Sequence, residues 1–95
     1  MGYPKKDYKF IKFEKSNAKG KKYTAYIKNK KNDKIIKIHF GSSAHEHFKD
    51  STGLGAWSKK DHMDPERRRR YRARHAVYLN KDEYSPAYFS WQYLW

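Results

Sequence analysis

Two groups of residues in this chain have the types and spacing to do chemistry. His45-Glu46-His47 puts two imidazoles two positions apart, on one side of an extended backbone, where they can chelate a metal ion. Spacing fixes no third ligand; Asp50 or His62 would have to be brought in by the fold, and HEH is not the helical HExxH pattern of metalloproteases. A surface histidine pair is the simpler reading, so neither a metal nor another cofactor is expected. The second group is RRRRYRAR, residues 67 to 74, six arginines in eight positions. Guanidinium groups bind oxyanions bidentately and stack on aromatic rings. No cysteine, no phosphate-cradling glycine loop and no serine in a strand-turn-helix setting accompanies either group, and Gly53 and Gly55 in TGLG read as a turn. The chain reads as non-enzymatic, with a small metal-dependent nuclease built on His45 and His47 as the weakest alternative.

Charge supports a polyanionic partner. The formal net charge is +13 over 95 residues, which suits nucleic acid, an acidic protein surface or anionic lipid. It is unevenly built: residues 1–41 carry most of the lysine, 42–63 are neutral, and all the arginine lies in 64–95. The absence of cysteine excludes disulfides and Cys-ligated zinc. There is neither an apolar leader core nor a run of membrane-spanning length, so the expectation is a protein that is neither membrane-spanning nor secreted.

The elements that must position these groups follow from periodicity. Asp7–Lys15, Lys21–Lys28 and Lys34–Phe40 alternate at period two and are rich in Ile, Tyr and Phe, which predicts a three-stranded antiparallel meander. Tyr23, Ala25 and Ile27 share one side of the second strand; Ile36, Ile38 and Phe40 share one side of the third, which Gly41 should close. NKKND, residues 29–33, suits a hairpin turn without the Asn-Gly signature, and Asn17 and Gly20 mark the turn before it. Residues 42–57 read as an irregular loop, and Ser58–Asp61 resembles a capping box opening a short helix. Asp64-Pro65-Glu66 is a strong helix start, for a helix running to about Val77. Ser85-Pro86 opens a second, aromatic helix through Leu94, with Ala87, Trp91 and Trp95 on one face. It is apolar nearly all round, with Tyr88, Phe89, Trp91, Tyr93 and Trp95 expected as core or interface, core being favoured in so short a chain. The fold class is therefore α+β: residues 21–95 as one small domain, and residues 1–20 as a basic segment with an edge strand as its candidate structure.

On the first helix, arginine occupies every flank, Tyr71 and Tyr78 lie near Arg67 and Arg74, and Ala73, Ala76 and Val77 cluster on the far side. Some guanidinium groups must then lie against protein, paired with acids such as Asp61, Asp64, Glu66, Asp82 or Glu83, or over rings. Candidate polyanion contacts are Arg67, Arg68, Arg69, Arg70, Arg72 and Arg74, with Lys21, Lys22, Lys28, Lys30 and Lys31. Among these, Arg68 and Arg72 are expected to bind anions first, and Arg67 and Arg74 to serve stability. Lysines interleaved with Tyr8, Phe10, Phe13, Tyr23 and Tyr26 read as a solvated sheet face, or alternatively as a stacking platform for single strands.

The segments KKYTAYIKNKKNDKIIKIHFG, STGLGAWSKKDHMDPERRRRYRARH and YSPAYFSWQYLW, within residues 21–95, resemble a family of small basic proteins. Its members are encoded by large double-stranded DNA viruses of algae and protists, with looser relatives in tailed phages. The family has no assigned activity, and its relatives often carry a cysteine near the arginine helix and tail that this chain lacks. The resemblance implies a virion setting: a minor capsid or core component in the virion or infected cell, touching other virion proteins or packaged nucleic acid. The alternative is a dedicated, sequence-nonspecific nucleic-acid-binding protein.

Overall fold

The structure is a computed structural model that describes residues 2–95, the side chain of Tyr78 excepted. At its centre is the expected antiparallel meander, β2 (Tyr8–Lys15), β3 (Lys21–Asn29) and β4 (Ile35–Ser42), in the order β2-β3-β4. Tyr23, Ala25 and Ile27 are fully buried, and in register they oppose Phe40, Ile38 and Ile36 of β4. This is the alternation of a sheet with one covered face. Residues 8–15 of the lysine-rich N-terminal segment belong to the same sheet, as its edge strand β2.

β2 corrects a simple period-two reading. Phe10 and Phe13 are three residues apart, so a regular strand would turn them to opposite faces. The pairing with β3 slips between Phe10 and Lys12, a bulge that leaves Ile11 exposed. Both phenylalanines then face the core, their ring centroids 4.7 Å apart. The β3–β4 hairpin is closed by Asn29, whose Oδ1 accepts from the amides of Lys31 at 2.8 Å and Asn32 at 3.4 Å. Asp33 takes the positive φ of 60° that an Asn-Gly turn gives to glycine.

Gly41 does not end β4, which continues to Ser42 and pairs there with Lys21. Its φ is +79°, and a Cβ would lie 2.8 Å from Leu94 Cδ1 and 3.3 Å from the Lys22 stem. The missing side chain lets Leu94 and Lys22 meet the end of the sheet. A further two-stranded ribbon joins β1 (Tyr3–Pro4) to β5 (Glu83–Tyr84). Two-residue strands carry no periodicity, so this pairing left no sequence signal.

Ser58–Lys60 forms a 3₁₀ turn, but Ser58 caps nothing: Trp57 occupies the cap position, and the Asp61 carboxylate turns instead to His47 and the Asp50 amide. α1 (Pro65–His75) starts as expected, Asp64 Oδ1 accepting from the Glu66 and Arg67 amides at 2.9 and 3.4 Å. It tightens into a 3₁₀ turn over Ala76–Tyr78. α2 (Pro86–Tyr93) is capped by Ser85, whose Oγ accepts from the Tyr88 amide.

α2 packs on the sheet as core. The single face expected for Ala87, Trp91 and Trp95 is divided: Ala87 is exposed, while Trp91 and Trp95 lie against Tyr71 of α1. Phe89 stacks on Phe40 with centroids 5.4 Å apart, and Tyr93 meets Phe13 at 4.7 Å. α2 is apolar all round because it lies between the sheet and α1.

Candidate polyanion-binding site

α1 sorts its arginines into two sets. Arg68 and Arg72, one turn apart, are the two that are partly buried. Arg68 Nε donates to the main-chain oxygen of Trp95 at 2.6 Å, and its guanidinium lies 4.7 Å from the Phe48 ring centroid. Arg72 Nε donates to the same oxygen at 3.3 Å and covers Trp91 at 5.0 Å. Carbonyls at the end of a helix lack intrahelical partners, and indole faces attract cations, so both features hold α1 to α2. This reverses the roles expected from sequence: Arg68 and Arg72 are the clasp, while Arg67, Arg69, Arg70 and Arg74 are exposed. The alanine side of α1 faces outward. Ala73 and Ala76 are exposed and Val77 is 81% exposed, whereas Tyr71 turns inward and stacks on Trp95 at 4.1 Å with planes 5° apart. The Tyr78 side chain, expected beside Arg74, lies outside the described residues.

Of the acids expected to pair with the arginines, Glu66 does so, and Glu46, which was not among them, joins it. Glu66 pairs with Arg69 and reaches Arg70 at 3.8 Å, as its spacing allows. Across the fold, Arg67 Nη1 meets Glu46 at 2.9 Å, which holds that carboxyl below its ordinary pKa. Glu83 instead accepts from Asn80 at 2.6 Å.

Arg67, Arg70 and Arg74 follow i, i+3, i+7 spacing, which is one stripe of a helix. That stripe forms one wall of a cleft of about 530 Å³. The opposite wall is the end of the β3–β4 hairpin and the turn after it, including Lys22, His45 and Glu46; Ser90, Leu94 and Trp95 close the third side. Four cationic side chains therefore face one carboxylate.

Lys22, one of a run of lysines expected on the surface, is only 2% exposed. Its ammonium donates to the His45 carbonyl and to His47 Nδ1, both at 2.7 Å. His47 is fully buried and its Nε2 donates to Asp61 Oδ1 at 2.5 Å, which fixes the tautomer. Backbone pairing of residue 47 with residue 61 holds this row in place: the His47 amide donates to Lys60, and the His62 amide to His47. Burial, with the nearby Lys60 charge, lowers the Lys22 pKa to about 8. Burial and the Lys22 charge likewise lower that of His47, outweighing Asp61. Nothing local in the sequence marks Lys22; the signal that could have found it is Gly41, which sits beside it in the hairpin register and leaves space for its stem.

His45 and His47 are consequently not a chelating pair on a strand. The backbone at 45–47 is a bend and a bridge, His45 is exposed with its Nδ1 on Ser42 Oγ at 2.8 Å, and both His47 nitrogens are engaged. The stacking-platform alternative also contracts. Tyr8, Phe10, Phe13 and Tyr23 face the core, leaving Tyr26 on the open face between Lys12 and Lys37. Tyr23 turns its hydroxyl to Asp50, which also accepts from Thr52 and the Trp57 amide and so pins the glycine loop. Of the other lysines, Lys21, Lys30 and Lys31 are exposed, and Lys28 reaches Asp33 at 3.5 Å. Among the described residues no helix is long and apolar enough to cross a membrane.

These shifts predict an alkaline stability maximum. The unfolded chain holds the Lys22 proton more tightly than the native state, so stability rises as pH climbs from about 8 to 10.5. Burial and Asp50 push Tyr23 up to about 12; the native state then keeps a proton that the unfolded chain loses, so stability falls between 10 and 12. On the acid side, buried His47 favours its neutral form, and stability falls as pH drops below 6.5. Thermal midpoints should therefore peak at about pH 10, and Lys22→Met should flatten the rise above pH 8. A decline that begins at pH 8 in both proteins would contradict this account.

No protein-family model, curated protein or solved structure matches the chain.

Proposed function

We propose that this protein is a non-enzymatic, sequence-nonspecific binder of nucleic-acid phosphates, with Arg67, Arg70 and Arg74 as its principal contacts. The observation that carries the reading is the division of labour on α1. Two arginines are engaged in packing, while three at one-stripe spacing stay at the edge of a cationic cleft. A helix that needed arginine only to hold α2 would need only the first set. Exposed Lys21, Lys30 and Lys31 add a diffuse field that attracts a polyanion from a distance. No base-reading motif accompanies these groups, so the contact is with backbone. The viral resemblance supplies a setting, in which a minor capsid or core component would accompany a packaged genome.

Duplex and single-stranded binding measured across a salt series tests this. Log affinity should fall steeply and linearly with log salt, about equally for different sequences. Removing both Arg70 and Arg74 should shallow the slope on duplex by about 0.9 for each phosphate that is no longer neutralised. Binding that ignores salt, or a slope unchanged in the double variant, would point to an acidic protein surface instead.

A further inference from the structure

We infer that the cleft between α1 and the end of the β3–β4 hairpin receives the terminal phosphate of a nucleic-acid strand, a phosphate monoester rather than an internal phosphodiester. The inference rests on the proposed function only in taking a strand as the source of that phosphate.

Shape separates the two ligands. A continuous duplex presents its phosphates on a convex surface, flanked by sugars, and can touch Arg70 and Arg74 at the rim. It cannot reach Lys22, which lines the cleft with 2% of its surface exposed. A chain end can enter. The cleft volume of about 530 Å³ falls within the roughly 300–1,000 Å³ of small-ligand sites, enough for a phosphate and its attached nucleoside.

Charge separates them as well. An internal phosphodiester carries one negative charge, whereas a monoester carries about 1.5 to 2 at neutral pH and offers three acceptor oxygens. Lys22 from β3 and three arginines from α1 line one space. Such convergence suits a compact multivalent anion; an extended backbone is better served by charges spread along a face. Two of the three Lys22 donors are used, on the His45 carbonyl and His47, so one N–H is uncommitted among the described residues.

Glu46 supplies an internal competitor for the same cations. Its carboxylate lines the cleft and pairs with Arg67 at 2.9 Å, so an anion of this chain already occupies one of the cationic groups. A phosphate entering the cleft takes over Arg67 from Glu46. Neutralising Glu46 should therefore strengthen binding of the terminal phosphate.

The test compares one short single-stranded oligonucleotide bearing a 5′-phosphate, a 3′-phosphate or neither, by fluorescence anisotropy at fixed salt, with a phosphoserine peptide as competitor. A phosphorylated end should bind about tenfold tighter than the unphosphorylated strand, the scale of one charge-assisted hydrogen bond. The 5′ and 3′ arms show which end is taken. Glu46→Gln should widen that preference, and Lys22→Met should abolish it. Should the Lys22 variant fail to fold, Arg70→Ala and Arg74→Ala decide, because both side chains are exposed and each should shrink the preference. Equal affinity for all three strands, with the salt slope intact, overturns the terminal-phosphate site and leaves the backbone-binding function standing. A preference that survives in both arginine variants overturns the placement in this cleft. A phosphopeptide that outcompetes the phosphorylated strand overturns the strand as ligand, and absence of binding to every strand overturns this inference together with the function.

Discussion

Phe89→Ala should lower the unfolding free energy by about 3–5 kcal/mol, measured as a shift in urea midpoint with an unchanged slope. Phe89 is 1% exposed and is the ring through which α2 meets the sheet. Its centroid lies within 5.2 to 6.2 Å of those of Tyr88, Phe40, Tyr84, Phe13, Phe10 and Tyr93. Rings are stiff and cannot flow into the space a lost ring leaves, so the cavity persists and the cost sits toward the upper end of the large-to-small range. Phe89→Leu, which keeps much of the volume, should cost markedly less. Val77→Ser is the contrast: Val77 is 81% exposed, and the change should stay within about 0.5 kcal/mol although it too removes an apolar side chain. A small loss at Phe89 would mean that α2 is not the layer that closes this core.

The arrangement behind that prediction was partly legible in the sequence. Period-two alternation in residues 21–40 gave β3 and β4 with their buried sides, because one covered face imposes that period directly. Asp64-Pro65 and Ser85-Pro86 gave both helix starts, since caps act within three residues. Contacts that depend on distant partners were not legible. Phe10 and Phe13 face one way only because Ile11 bulges, and composition does not announce a bulge. The six arginines are chemically identical, and which of them bury is decided by where the Trp95 carbonyl and the Trp91 and Phe48 rings arrive. Helical geometry showed that some must be structural but placed them on the wrong residues. Glu46 lies 21 residues from Arg67, too far apart for any local pattern to join them. Spacing pairs His47 with His45, whereas its partners come from β3 and from the segment before α1.

That misplaced histidine yields the second large effect. His47→Leu should destabilise the protein by about 3–5 kcal/mol at neutral pH, the cost of leaving a buried charge without its partner. The imidazole is the bridge between a Lys22 ammonium and an Asp61 carboxylate, accepting from one and donating to the other. Leucine fills much of the volume but offers neither contact. Lys22 would keep the His45 carbonyl and Asp61 the Asp50 amide, so the loss is incomplete rather than total. Three outcomes separate this account from simple loss of packing. His47→Gln, with an acceptor and a donor of its own, should be less damaging than leucine despite its greater polarity. Lys22→Met combined with His47→Leu should cost less than the two single changes added together, by more than about 1 kcal/mol, because Lys22→Met removes the charge that His47→Leu leaves unpaired. The leucine penalty should also shrink as pH rises past about 8, where the Lys22 amine gives up its proton and no longer needs an acceptor. If the two changes are additive and the penalty is flat with pH, the row is packing alone, and Lys22 brings no charge to the cleft for a phosphate to meet.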